Sequence, residues 1–214
     1  MGLRMFLIRI WAPCCAVFLL AMNVGLAHAQ DGPDVIIKRA VDEVTSAIKA
    51  DRDIQSGNRH KINALVDNKI VPYVNFSRMT QSAVGRHWSR ATAEQQQALT
   101  REFKGLLTNT YSGAFSTYRA DTVIEYKPLR MQPGDTDAVV RSTVKAGAGE
   151  PIQLDYYLEK FENGWKVIDL NILGARLVET YRNQFNAEIA SNGIDGLIKA
   201  LVAKNRSIEA RSKS

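Results

Sequence analysis

Hydrophobic and polar positions follow a helical period through the first half of the chain. Apolar faces that come after Pro33 and before Pro72 predict two helices, because proline fits the first turn of a helix and ends a helix elsewhere. Asn75 and Gly85 suit the two ends of a short third helix, as an N-terminal cap and a stop. The N-terminal half is therefore predicted to be helical.

The longest helical pattern covers residues 93–118. Thr92 and Gln95 have the spacing of a capping box, in which each side chain accepts a hydrogen bond from the backbone N–H of the other residue. A helix of this length spans a small domain, so its apolar face must lie against another element. The residues on that face are Leu99, Phe103, Leu106, Leu107, Tyr111, Ala114, Phe115 and Tyr118.

The period changes from helical to alternating after residue 120. Asn163-Gly164 is a strong hairpin signal, and helical spacing returns after Gly174, with Gly193 placed to end one helix before the last. Helices, a meander and further helices predict an α+β fold in which helices pack on a curved four-stranded antiparallel sheet. The four predicted strands are residues 122–127, 138–145, 152–161 and 165–172.

The N-terminal segment has the composition of a secretory signal peptide. Arg4 and Arg9 precede a short apolar run, and small residues at 27–29 suit cleavage after Ala29. The apolar run is shorter than a comfortable membrane span, so we predict that residues 1–29 are removed.

The rest of the chain is predicted to be one domain with a polar tail. Residues 30–205 form the domain, and residues 206–214 lack periodicity and are predicted to be a disordered basic tail. Cys14 and Cys15 lie in the predicted signal peptide, so no disulfide is expected. The net charge is +6, but the basic residues are scattered without interleaved aromatic residues, so nucleic acid is not an expected partner.

Catalytic and metal-binding motifs are sparse after the predicted signal peptide. His60 and His87 are far apart in sequence, and no spacing typical of a metal site is present. Asp155 and Asp169 lie on adjacent predicted strands, where paired carboxylates can act as acid and base, but acids on a polar sheet face are usually solvated. We therefore expect no enzyme activity, metal or cofactor.

Aromatic side chains on the long helix and the sheet suggest a cavity. Large rings on a concave sheet often surround a cavity, and a mostly apolar cavity binds an apolar ligand. Two alternatives stay open: an enzyme with an Asp or Tyr acid–base group acting on a hydrophobic small molecule, on a cone-shaped α+β scaffold, and an adaptor without any cavity. The rings expected to face one another are Phe103, Tyr111, Phe115, Tyr118, Tyr156 and Trp165.

Two groups of residues resemble one protein family in order and spacing. The first group comprises residues 74–80 with Gly85, Trp88, Thr92, Gln95, Phe103, Leu106, Leu107, Thr110, Tyr111 and Tyr118. The second comprises Asp155, Tyr156, residues 164–167, Asp169, Gly174, Leu177, Val178, Tyr181, Arg182, Gln184, Phe185, Gly193 and residues 195–198. Together they resemble the MlaC family, the periplasmic phospholipid-binding components of the Mla pathway, also called toluene-tolerance auxiliary components.

The resemblance implies a deep apolar pocket with phospholipid as cargo instead of a cofactor. Acyl chains would lie inside the pocket and the head group at its mouth. A periplasmic protein of this kind shuttles lipid between an outer-membrane lipoprotein–porin complex and an inner-membrane ABC transporter with an MCE-domain subunit, which maintains outer-membrane lipid asymmetry. ATP is used by the transporter.

Pocket residues are proposed from the apolar faces that the resemblance brings together. Arg78 is expected to pair with a strand carboxylate such as Asp169 and brace the wall. Arg176 departs from the family pattern and could alter head-group contact or partner docking. The predicted lipid-binding residues are Val74, Phe76, Met79, Val84, Phe103, Leu106, Leu107, Tyr111, Val140, Leu154, Tyr156, Leu158 and Val167.

Overall fold

The computed structural model describes residues 31–116, 118–119, 121–147 and 149–211. The predicted signal peptide lies outside the described residues. Shorter turns are a π-helical turn, Val66–Ile70, and two 3₁₀ segments, Val71–Tyr73 and Gly85–Arg90. The α-helices are α1 (Pro33–Ala50), α2 (Arg52–Gln55), α3 (Arg59–Leu65), α4 (Phe76–Val84), α5 (Ala93–Tyr111), α6 (Gly113–Ser116) and α7 (Leu177–Arg211).

The predicted helix starts are confirmed by their caps. The Asn75 side chain accepts a hydrogen bond from the Arg78 amide at the start of α4. The capping box of α5 is complete: the Gln95 amide donates to Thr92 Oγ1, and the Thr92 amide donates to Gln95 Oε1. These contacts satisfy backbone donors that have no partner within the helix.

The long helix is shorter than predicted. It ends at Tyr111, and the short helix α6 follows after Ser112. Ser112 and Gly113 are weak helix formers, and the Ser112 hydroxyl donates to the Asn109 carbonyl, which competes with helix continuation.

Within the described residues, the sheet has five strands in meander order, one more than predicted. Leu173 and Gly174 both have positive φ, 52° and 88°, and form a two-residue turn that returns the chain along β4. The β3–β4 turn lies at residues 162–163, with Gly164 as the first residue of β4. The strands are β1 (Val123–Tyr126), β2 (Asp137–Lys145), β3 (Ile152–Phe161), β4 (Gly164–Ile172) and β5 (Ala175–Arg176).

The predicted disordered tail is wrong for residues 206–211, which continue helix α7. Ile208 packs on the core formed by α4, α5 and α7, and its carbonyl accepts a hydrogen bond from Arg59 at 3.2 Å. Residues 212–214 lie outside the described residues. Gly193, with φ 71° and ψ −177°, kinks α7 near the predicted break.

Three hydrophobic clusters form the core. One joins α4, α5 and α7 around Phe103, a second joins α1 to the sheet around Ile37, and a third joins α1, α2 and α3 around Ile62. Among the helices that the structure describes, none is both long and apolar enough to cross a membrane.

Candidate binding cavity

An apolar cavity lies where the three clusters meet. Its volume is about 340 Å³, within the range typical of small-molecule sites. Val44 of α1, Leu107 of α5 and Leu154 of β3 are among its walls. Val44 and Leu154 are only half-buried, because they face open space instead of other side chains.

A larger groove lies on the surface between α5 and the β3–β4 turn. Its volume is about 1230 Å³, but polar side chains such as Gln97 and Lys104 line much of it. The smaller internal cavity therefore matches an apolar ligand better, because its lining is almost entirely hydrophobic.

Eight of the thirteen predicted residues line this cavity. They come from the segment before α4, from α4 and α5, and from the middle of the sheet, which are adjacent as the predicted α+β arrangement requires. The eight residues are Val74, Phe76, Met79, Leu107, Tyr111, Leu154, Tyr156 and Val167.

The other five predicted residues do not line the cavity and belong to the packed core. The Phe103 ring packs edge-to-face against Tyr181 and Phe185, with centroids 5.1 Å apart in each pair. Trp165, expected among the cavity rings, packs in the α1–sheet cluster instead. The five buried residues are Val84, Phe103, Leu106, Val140 and Leu158.

Helix α1 supplies a wall that the sequence interpretation missed. Its apolar face was recognised as a helix face, but aliphatic residues alone did not distinguish a cavity wall from a core contact. The α1 residues that line the cavity are Ile37, Ala40, Val41, Val44, Thr45 and Ile48.

The polar edge of the cavity is formed by Lys69 and Tyr73. The Glu43 carboxylate on α1 accepts a hydrogen bond from the Tyr73 hydroxyl at 2.8 Å and from Lys69 Nζ at 3.2 Å. These donors, Tyr73 first, lower the pKa of Glu43. Burial, together with the Glu43 carboxylate, raises the pKa of Tyr73, so its hydroxyl remains a donor.

The hydroxyls of Tyr111 and Tyr156 in the cavity wall are neutral at physiological pH. Burial is the main cause that raises the pKa of Tyr111 and of Tyr156. Because both groups stay protonated, they add no charge to the wall. The cavity therefore offers hydroxyls and hydrocarbon, a surface suited to an amphiphile.

Arg78 pairs with a strand carboxylate as predicted, but the partner is Glu159 and not Asp169. Arg78 Nε contacts Glu159 on β3 at 2.9 Å, and its Nη1 donates to Ser82. The expected brace between α4 and the sheet is present, whereas the Asp169 carboxylate accepts its hydrogen bonds from other residues.

Asp169 is fully buried, and its carboxylate forms hydrogen bonds within the fold. Its carboxylate accepts hydrogen bonds from the Leu170 and Val178 amides and from Arg176. The Arg176 guanidinium also lies over the Tyr157 ring, 4.1 Å from its centroid. Arg176 therefore braces the start of α7 and does not line the cavity.

The enzyme alternative, in the form that uses an aspartate as the acid–base group, requires a carboxyl group inside the cavity. None of the described lining residues is an Asp or Glu. Within the same described ranges, no group of three His, Cys, Asp or Glu side chains is arranged to hold a metal ion.

Comparison with known proteins gave concordant matches. The sequence profile described as "MlaC protein" matches residues 38–203. The "Toluene tolerance protein ttg2D" of Pseudomonas putida is 27% identical over 179 residues, covering 83% of this chain and 82% of the relative. The "Intermembrane phospholipid transport system binding protein MlaC" of Haemophilus influenzae is 23% identical over 174 residues, covering 80% and 81%.

A solved structure has a higher sequence identity to this chain than these two relatives. It is a phospholipid-binding protein from Ralstonia solanacearum in complex with a phospholipid, 48% identical to this chain. The match has a TM-score of 0.80 and covers 84% of this chain and 99% of the other.

Proposed function

Because the chain belongs to the MlaC family, we propose that it is a phospholipid carrier whose cavity holds acyl chains. The observation that carries the proposal is the apolar cavity between α1, α5 and the sheet. The solved phospholipid complex of a similar protein supports this choice of ligand. The names of the two relatives, which refer to phospholipid transport and toluene tolerance, agree with it.

The proposal extends to location and partners. We place the protein in the periplasm after loss of residues 1–29, with an outer-membrane lipoprotein–porin complex and an inner-membrane MCE-domain ABC transporter as its partners. The predicted signal peptide and the family resemblance support this part.

Burial of acyl chains sets the energetics of such a carrier. A buried methylene is worth about 0.8 kcal/mol, so a sixteen-carbon chain represents about 12 kcal/mol relative to water. A bilayer shelters the chain to nearly the same extent, so exchange with a membrane is nearly balanced. Release at a destination therefore needs a partner that opens the cavity or competes for the lipid.

The direct test is to extract the purified protein with organic solvent and identify lipids by mass spectrometry. We expect phospholipid in the wild-type extract and less in Leu107→Trp, because Leu107 lines the cavity and the larger ring fills space that an acyl chain needs. The matched control is Val123→Trp on β1, which is 53% exposed and does not line the cavity. Equal lipid in wild type and Leu107→Trp would show that the cavity is not the binding site.

A further inference from the structure

The cavity has one charged group in its lining. Of the described residues that form its wall, Lys69 is the only ionisable acid or base apart from the tyrosines. Lys69 also borders an outer groove beside α1, together with Arg39 and Glu43. Its side chain is 42% exposed, so the ammonium group lies at the edge of the cavity, in contact with solvent.

Two donors at this edge converge on one anion. Glu43 Oε2 accepts a hydrogen bond from the Lys69 ammonium, and Glu43 Oε1 accepts one from the Tyr73 hydroxyl. A carboxylate and a phosphodiester each share one negative charge between two terminal oxygens, and each can accept two such hydrogen bonds. The position of Glu43 therefore shows that the two donors can hold one oxyanion at the same time.

Both donors are carried by one irregular segment. Lys69 belongs to the π-helical turn and Tyr73 to the 3₁₀ turn that follows it directly. π-Helical turns are rare and occur often at functional sites. The same segment contributes Val66 and Ile70 to the apolar wall, and Val74 follows it directly, so the segment joins the hydrocarbon surface to the polar edge.

We propose that Lys69 Nζ and the Tyr73 hydroxyl bind the phosphate group of a phospholipid whose acyl chains lie in the cavity. The inference rests on the proposed carrier function and adds a head-group site to it. The phosphate replaces the Glu43 carboxylate on both donors. Glu43 is 36% exposed, and Arg39 lies one helical turn earlier on α1, so the displaced carboxylate keeps both water and a cation nearby.

The proposal predicts selectivity for the phosphate. Hydrogen bonds to a charged group are strong enough for roughly a tenfold effect on affinity. A diacylglycerol has the same acyl chains but lacks the phosphate. The protein should therefore bind a phospholipid about tenfold more tightly than the diacylglycerol with identical chains.

The test measures displacement of a fluorescent fatty-chain probe from delipidated protein. The competitors are dioleoylphosphatidylglycerol, dioleoylglycerol and inorganic phosphate. We expect Lys69→Gln to lose most of the preference for the phospholipid and Tyr73→Phe to lose part of it, where the preference is the ratio of the two lipid affinities measured on the same variant. The matched control is Lys61→Gln, which breaks a comparable ion pair with Asp51, 3.0 Å long, outside the cavity lining.

The outcomes separate the head-group site from the carrier function. If both lipids bind but Lys69→Gln keeps the full preference for the phospholipid, the head-group site is wrong and the carrier function stands. If inorganic phosphate alone displaces the probe, the donors form a free-anion site and the proposal is again overturned. If neither lipid binds to wild type, the carrier function itself fails.

Discussion

Some buried polar side chains in this protein have hydrogen-bond partners, and the Tyr126 hydroxyl does not have one among the described residues. The Asp169 carboxylate has three donors, whereas the Tyr126 hydroxyl is buried and has no hydrogen-bond partner among the described residues. An unpaired buried hydroxyl costs about 1–3 kcal/mol. Burial, reinforced by the charge of Asp42, raises the pKa of Tyr126 to about 12.

Replacement of Tyr126 by Phe should stabilise the protein. The ring stays while the unpaired hydroxyl is removed, so we expect the free energy of unfolding to rise by about 1 kcal/mol in urea titrations at neutral pH. A fall in stability would show that the hydroxyl has a partner.

Tyr126→Phe should also reduce the loss of stability at alkaline pH. The pKa of Tyr126 is higher in the folded protein than its ordinary value near 10, so its titration takes nothing from stability well below pH 10, where the group is neutral in both the folded and the unfolded chain. As pH rises from 10 towards 12, the unfolded chain ionises before the folded one, and stability falls. Tyr126→Phe lacks that loss, so we expect the wild type to lose more stability than the variant between pH 9 and pH 11.

At the scale of elements, helix α7 depends on one glycine. Gly193 has φ 71° and ψ −177°, a conformation that is open almost only to glycine. The kink lets the apolar residues before it, such as Phe185, and those after it, such as Leu201, both reach the core shared with α4 and α5.

Gly193→Ala should destabilise the protein by about 1–3 kcal/mol, measured by thermal or urea unfolding. An added Cβ at Gly193 meets no other atom within 4 Å, so the cost arises from the backbone conformation. Gly113→Ala is the matched control, because Gly113 also has open space but no positive φ. The explanation is incorrect if both variants have the same stability.

Local signals in the sequence predicted most element starts but not every end. The Thr92–Gln95 capping box and the strand alternation depend on neighbouring residues alone, and both were found in the structure. The fifth strand depends on Leu173 at positive φ, which is rare for a leucine. The helical end of α7 depends on contacts with Arg59, which is distant in sequence.

At the scale of the whole molecule, the cavity could be predicted only in part. Phe103 and Leu107 lie on the same apolar face of α5, yet Phe103 meets two rings of α7 and Leu107 meets the cavity. In the sequence, both residues show only that they are hydrophobic and belong to the same helix face. Whether such a residue packs in the core or lines the cavity depends on the elements that face it, which are set by the tertiary packing.

Lipid removal should lower the melting temperature. A ligand at one hundred times its Kd stabilises the folded state by about 2.7 kcal/mol. For a chain of this size, that corresponds to roughly 5–10 °C. Calorimetry of lipid-loaded and delipidated protein measures the shift.

Leu107→Trp serves as the control for this measurement, because its cavity is already filled. We expect its melting temperature to change much less on delipidation. An equal shift in wild type and variant would place the stabilising lipid outside the cavity.

Two walls of the cavity, helix α1 and the segment before α4, differ in how they are attached to the sheet. The Asn75 amide donates to the Val167 carbonyl at 2.9 Å, and Val74 pairs with Val167 as a parallel bridge, so the segment before α4 is fixed to the sheet by its backbone. Between the described residues of α1 and the sheet, no such backbone bond is present. Apolar packing and side-chain contacts such as Glu43 with Lys69 hold α1 in place. Among the described residues, outward displacement of α1 therefore breaks no backbone hydrogen bond to the sheet, whereas displacement of the segment before α4 breaks the bond from Asn75 to Val167.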